Sequence, residues 1–221
     1  MVMMRYHVIN DLINRFGYKS YLEIGISVGK TWRNVECEKK VGVEPNPIVD
    51  DERIFIGTSD SYFALHYTGT RDEDAPDNEE RFDLIFIDGL HLADQVIRDI
   101  EHSLDRLNPG GTIVVHDCNP PTEEHGAPRP MIWRQQGHSV WCGTVWQGWV
   151  NFRMRSQYMF SCTVDCDFGV GIIRPGDPSL CAPVQKPPYP LTWEYFDANR
   201  DTLLNLILDY KTLDELWQTK D

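Results

Sequence analysis

The residues of this 221-residue chain that could do chemistry recur in one setting, at the end of a short apolar run. Glu23 and Gly25 close YLEIG, Glu44 closes VGVE, and Ser59 and Asp60 follow IFIG. Asp88 closes LIFID with His91 three residues on, and His116 and Asp117 close IVVHD. Gly25 and Gly29, with Ser27 between them, let the backbone bend closely around a ligand, and a helix starting there offers free N–H groups. Glu44 stands 19 residues past Gly25. A carboxylate so placed can accept both hydroxyls of a nucleoside ribose. An imidazole can move a proton near neutral pH, so His91 is the first candidate base and His116 the competing one. Asp88 and Asp117 could together hold a magnesium-type divalent cation that lowers the pKa of a bound hydroxyl. Without one, Asp117 would orient His91 or the ligand.

Two other nucleotide signatures fail on spacing. Gly29-Lys30-Thr31 resembles the end of a phosphate-binding loop, and LIFID the acidic strand that accompanies one. That loop needs four residues between its first glycine and Gly-Lys, and Gly25 leaves three. The dinucleotide pattern needs glycines where Ser27 and Lys30 stand.

The elements that position these residues follow from punctuation and periodicity. Tyr6, Ile9, Ile13 and Phe16 have helical spacing, and Gly17 stops that helix. YLEIG, VGVE, IFIG, FDLIFID and GTIVVHD read as strands; their apolar runs do not alternate, so both faces are covered. A helical stretch runs from Ser59 to about Tyr67, and Val96, Ile97, Ile100, Leu104 and Leu107 mark one face of another that NPGG ends. The order strand, helix, strand predicts a doubly wound α/β domain with a mostly parallel sheet. Val145, Trp149 and Phe152 mark a later helix. YMFSCTVDCDFGVGIIRPG reads as an antiparallel hairpin turning near Asp167, Phe168 and Gly169. Leu203, Leu204, Ile207 and Leu208 predict a closing C-terminal helix.

Composition excludes some partners. Asp+Glu 34 against Lys+Arg 21 gives a net charge of -13. A chain of that sign is repelled by a nucleic-acid backbone and by an anionic membrane surface. No run reaches the roughly 18 apolar residues of a membrane span, and the N-terminus lacks an apolar export run, so a cytoplasmic protein is expected. The six cysteines form no Cys-x-x-Cys pair and are expected as reduced, packing thiols. Arg71 to Arg81 reads as a solvated acidic loop. Trp133, Trp141, Trp146 and Trp149 follow the fifth strand and could pack or stack on a ligand ring.

YLEIGISVGK, VGVEPN, FDLIFIDGLH, the LNPGG turn and IVVHDCNPP, in that order over about Tyr21 to Pro121, resemble the class I S-adenosylmethionine-dependent methyltransferases. Within that superfamily they are most similar to the small-molecule O-methyltransferase branch. The resemblance implies a Rossmann-like sheet of seven strands in the order 3-2-1-4-5-7-6. It implies one methyltransferase domain over 1–221: an N-terminal helix (1–20), a cofactor-binding core (21–121), a substrate-side loop and helix (122–158), a terminal hairpin (159–176) and a C-terminal tail and helix (177–221). It implies that Glu23, Gly25, Ser27 and Gly29 line the methionine part of S-adenosylmethionine, that Glu44 holds the ribose, that Ser59 and Asp60 lie near the adenine, and that Asp88 faces the methionine amine or a metal. Ser27 stands where the family often has a third glycine. Cys118, a poor ligand for a hard ion, follows Asp117 where the related metal-dependent enzymes have an amide or acid. The implied activity is O-methylation of a small molecule, a sugar or natural-product intermediate, by in-line transfer with a histidine base. The alternatives are a phosphate-loop nucleotide phosphohydrolase and a non-catalytic S-adenosylmethionine-binding domain. A homodimer is compatible with the sequence.

Overall fold

The computed structural model describes residues 2–65, 80–129, 141–174 and 186–208. Its centre is a run of parallel strands, β1 (Ser20–Ile24), β2 (Lys39–Glu44), β3 (Ile54–Ile56), β4 (Phe82–Ile87) and β5 (Leu107–Val115). Between them lie α2 (Lys30–Asn34), α3 (Ser59–Leu65) and α4 (Ala93–Asp105), and α1 (Arg5–Phe16) precedes them. After β5 come α5 (Val145–Arg155), β6 (Phe160–Val164), β7 (Val170–Arg174), α6 (Trp193–Ala198), α7 (Arg200–Leu204) and β8 (Leu206–Ile207). The sheet order is β3-β2-β1-β4-β5-β7-β6-β8. β7 runs antiparallel to both β5 and β6.

The non-alternating strands are explained by burial on both faces. In β4, Ile85 and Ile87 join a core with Val96 and Ile100 of α4 and Trp149 of α5. Leu84 and Phe86 join a second core with Val8, Ile9, Leu12 and Ile13 of α1 and Trp32 of α2. Each such fully buried aliphatic side chain contributes about 1.5–3 kcal/mol. Gly17 ends α1 in the left-handed region (φ 65), its N–H donating to the Ile13 carbonyl.

Three expectations are corrected. Among the described residues the sheet has eight strands, not seven, because β8 pairs in parallel with β6. The C-terminal helix predicted through Leu208 stops at Leu204: Asn205 takes the left-handed conformation (φ 47), and Leu206 and Ile207 turn into the sheet. NPGG also lies within β5 rather than before it. A register shift against β4, between Phe82 and Leu84, absorbs the extra residues. Most of the acidic loop, Trp133 and Cys181 lie outside the described residues. Among the described residues the five cysteines are free, and no helix is long and apolar enough to cross a membrane.

β1 is the point where the chain order reverses, with β2 on one side and β4 on the other. Open α/β sheets bind ligands in the crevice at such a point, beyond the carboxyl ends of the strands.

Candidate active site

A cleft of about 880 Å³ opens there. It is lined by Glu23, Gly25, Ser27, Glu44, Ser59, Asp60, Asp88, His91, His116 and Asp117, which are all the cofactor, base and metal candidates of the sequence except Gly29.

The bend after β1 makes the cleft floor. Gly25 has φ 89, and a Cβ there would sit 2.1 Å from the Asp88 carbonyl oxygen. Only glycine lets the ends of β1 and β4 approach so closely. Ser27 also takes a left-handed conformation (φ 48). Gly29 does so as the N-cap of α2, its missing side chain making room for Val49 rather than for a ligand. Glu44, at the end of β2, accepts the N–H groups of Ile26 and Ser27 at 3.0 Å each through one oxygen and that of Asn46 at 3.0 Å through the other. It is the brace of the bend as well as its acidic neighbour. Glu23 lies deeper, 1% exposed, accepting the Tyr21 hydroxyl at 2.8 Å. Burial pushes its pKa up to about 8.

At the opposite end of the cleft wall, Ser59 and Asp60 open α3. Gln95 of α4, which sequence reading missed, reaches both of them.

Charge concentrates beyond β4 and β5. His91 Nδ1 lies 2.8 Å from the Trp141 carbonyl and 3.2 Å from Asp117 Oδ2, and Nε2 lies 3.2 Å from Asp88 Oδ1. A carbonyl only accepts, so Nδ1 carries the proton. Burial alone would lower the His91 pKa; the hydrogen bond to Asp88 and the charge of Asp117 outweigh it and raise the pKa to about 9. His116, 5% exposed, sets Nδ1 at 3.1 Å from Asp88 Oδ1 and 3.2 Å from Asp117 Oδ1. Burial opposes its charge too, and Asp117 and Asp88 hold its pKa well above the ordinary value. In return, the two imidazoles overcome burial and hold the Asp88 carboxyl well below the usual carboxylate range.

Two further members were not visible as site residues. Arg5, in the first turn of α1, donates to Asp167 at 2.7 Å, to Thr31 at 2.9 Å, and lies 3.6 Å from Asp88. Asp167 sits in the hairpin turn, where Asp167, Phe168 and Gly169 all have positive φ. His91 (φ 57) and Asp117 (φ 62) are left-handed as well. Such conformations cost of order 1–3 kcal/mol each in non-glycine residues and persist where surroundings enforce them, often at functional sites. The only advance signal for these residues was the turn itself; nothing near Arg5 in the chain marks it.

Of the tryptophans, Trp141 lines the cleft and stacks on His91 with ring centroids 5.3 Å apart. Trp146 and Trp149 are core residues, donating to the Gly126 carbonyl and the Thr163 hydroxyl. Cys118 is fully buried with its thiol on the Val115 carbonyl, and Asn119 is bonded to Asp165.

The ligand atoms of Asp88, His116 and Asp117 lie within 4.8 Å of one another. Two carboxylates and an imidazole suit a divalent cation, and the nitrogen suits a first-row transition ion better than magnesium. The glycine bend and the Glu44 carboxylate suit an adenosyl ligand with an amino-acid tail.

Residues 22–118 match a family model described as a methyltransferase domain. None of the curated proteins compared matches the chain. Among solved structures, a candidate caffeoyl-CoA O-methyltransferase from Staphylococcus aureus is 17% identical, with 80% of this chain and 86% of that one covered and a TM-score of 0.52. A cofactor-bound protein from MTB is 14% identical, with 78% and 80% covered and a TM-score of 0.51. At these identities the two bear out the fold.

Proposed function

We propose that the chain, whose residues 22–118 match a methyltransferase-domain model, uses S-adenosylmethionine to methylate a hydroxyl of a small molecule, a sugar or natural-product intermediate. The observation that carries this reading is the bend at Gly25 braced by Glu44, facing two carboxylate-flanked histidines across one cleft.

In this reading Gly25 and Ser27, with Glu23 beneath, receive the methionine part, Glu44 the ribose, and Ser59 and Asp60 the adenine. Gly29 acts through the backbone of the bend. When bound, the cofactor supplies a methyl group on a sulfonium, which leaves by in-line displacement. The chain's task is to align the acceptor oxygen and to remove its proton. Alignment is worth roughly 7–11 kcal/mol of barrier and a positioned base about 10²–10⁴-fold.

His91 is the proposed base. Trp141 and Asp117 fix its proton on Nδ1 and leave Nε2 aimed at Asp88 and the cleft. Both ring nitrogens face acceptors, so the imidazole is charged. It becomes a base once a ligand's positive charge offsets Asp88. His116 is less accessible and is the second candidate. Asp88, Asp117 and His116 would hold a divalent cation, if one is used, and it would lower the pKa of the acceptor hydroxyl.

Calorimetry tests the cofactor reading: S-adenosylhomocysteine should bind at micromolar concentration and ATP should not. ATP binding in its place would return the phosphate-loop reading. A screen of candidate acceptors by mass shift then reads the activity, with a gain of one methyl expected. Binding with no methyl transferred to any acceptor would favour the non-catalytic alternative. Full activity in excess EDTA would remove the cation.

A further inference from the structure

We infer that Gly143 and Thr144 are positioning residues for the proposed base, and that the segment from Trp141 to Thr144 is a clamp on the His91 turn. This rests on the reading of His91 as the base and deepens it.

His91 stands in the turn between β4 and α4 and is left-handed there (φ 57). A histidine keeps that conformation where its surroundings enforce it. The helix does not supply the restraint itself: its N-cap is Leu92, whose side chain has no oxygen to take a first-turn N–H. The restraint comes from far along the chain. Thr144 donates its N–H to the His91 carbonyl at 3.0 Å, and its hydroxyl accepts the Ala93 N–H at 2.8 Å. One residue thus grips the turn on both sides of Leu92. Gly143, left-handed as well (φ 62), lies flat against the same turn. A Cβ there would fall 2.0 Å from the His91 carbonyl oxygen and 2.8 Å from the His91 Cβ. Trp141 adds its carbonyl at Nδ1 and its ring against the imidazole.

The clamp is itself anchored. Cys142 and Gly143 donate to the His125 carbonyl at 3.0 and 3.1 Å, and Trp141 Nε1 donates to the Ala127 carbonyl at 2.6 Å. Hydrogen bonds therefore lead at every step from the loop after β5 to the imidazole. Backbone and ring of His91 are both held, with Nε2 pointing at Asp88. A base works through its alignment, and a displacement of about 1 Å can cost on the order of 10²-fold in rate. Gly143 and Thr144 do not line the cleft. They act on the reaction through His91.

Two readouts on the full chain test this, and the first needs no acceptor. In NMR spectra of protein carrying isotope-labelled histidine, the His91 ring signals are identified by their loss in His91→Ala. They should shift in Gly143→Ala and in Thr144→Val, while those of His7 and His102 stay in place. The second readout is turnover with the acceptor that the mass-shift screen returns, the stoichiometry of S-adenosylhomocysteine in calorimetry giving the folded fraction. Both variants should lower kcat about 10-fold or more, with KM and S-adenosylhomocysteine affinity little changed. Thr144→Ser should restore the wild-type kcat. In a His91→Ala background neither substitution should lower it further, because both act through the same side chain. Unmoved His91 signals in a folded Gly143→Ala protein would overturn the clamp, as would losses that add to that of His91→Ala. If Gly143→Ala does not fold, Thr144→Val decides by the same measures, and if no acceptor is found the ring signals decide alone. Full turnover in His91→Ala would overturn the base reading instead, a failure that the ring signals tell apart from failure of the clamp.

Discussion

His91 and Glu23 are both titratable groups displaced from their ordinary range, by different causes and with different consequences. His91 is raised to about 9 although burial opposes its charge, because Asp88 and Asp117 stand on either side. As a base it works only when neutral. The free enzyme's kcat/KM should therefore climb with pH until about 9, since that parameter reports the unliganded protein. His91→Ala should lower turnover about 10²-fold or more and leave S-adenosylhomocysteine binding within a few-fold. Survival of activity in that variant would move the role to His116. Glu23 is raised from 4.5 to about 8 by burial. Its proton is held more tightly in the folded chain than in the unfolded one. The stability it contributes is fully present below about pH 4.5 and is lost as pH rises towards 8. Glu23→Gln cannot ionise, so its melting temperature should fall less than that of wild type between pH 5 and 8. Parallel melting curves across that range would show that Glu23 is already ionised at pH 5.

Elements decide how closely those groups approach one another. The ends of β1 and β4 meet at Gly25, where a methyl group would lie 2.1 Å from the Asp88 carbonyl oxygen. Gly25→Ala must push the strand ends apart, at a cost typical of overpacking, about 1–3 kcal/mol. Glu44→Ala strips three N–H groups of their acceptor. Both variants should stay folded, because the cost is small beside the burial on both faces of the central sheet, and both should weaken S-adenosylhomocysteine about 10-fold or more in calorimetry. Unchanged affinity in Glu44→Ala would remove that residue from the ribose. The strand ends were legible in the sequence because the central strands β1 and β4 are buried on both faces and the apolar runs are stopped by a glycine, an acid or a proline. β8 was not: Leu203, Leu204, Ile207 and Leu208 keep helical spacing, and the left-handed Asn205 that breaks them carries no unambiguous mark. Arg5, Gln95 and Asp167 were missed for a different reason. They reach the cleft from a helix start, a helix face and a hairpin turn, and chain spacing says nothing about contacts 162 residues apart such as Arg5 with Asp167.

At the scale of the whole molecule, the net charge of -13 bears on which form of the cofactor the cleft prefers. S-adenosylmethionine carries a sulfonium that S-adenosylhomocysteine lacks, so the two differ by one positive charge in nearly the same shape. The cleft sets Glu44, Asp60, Asp88, Asp117 and Asp167 against Arg5, Lys30 and two histidines, and the chain as a whole is acidic. A cleft in which acids outnumber cations attracts ligands of positive charge. That field should favour the methylated form and draw it in faster. Part of the preference comes from contacts within the cleft, which salt screens weakly, and part from the distant surface, which salt screens strongly: the screening length falls from about 10 Å at 0.1 M to about 3 Å at 1 M. Raising the salt should therefore weaken S-adenosylmethionine more than S-adenosylhomocysteine, without erasing the difference. Affinities of both measured by calorimetry at low and high sodium chloride separate the two sources. A ratio that does not move with salt would assign the preference to the nearest carboxylates alone. A ratio that rises with salt would mean that Arg5 and the charged histidines govern the potential at the sulfur.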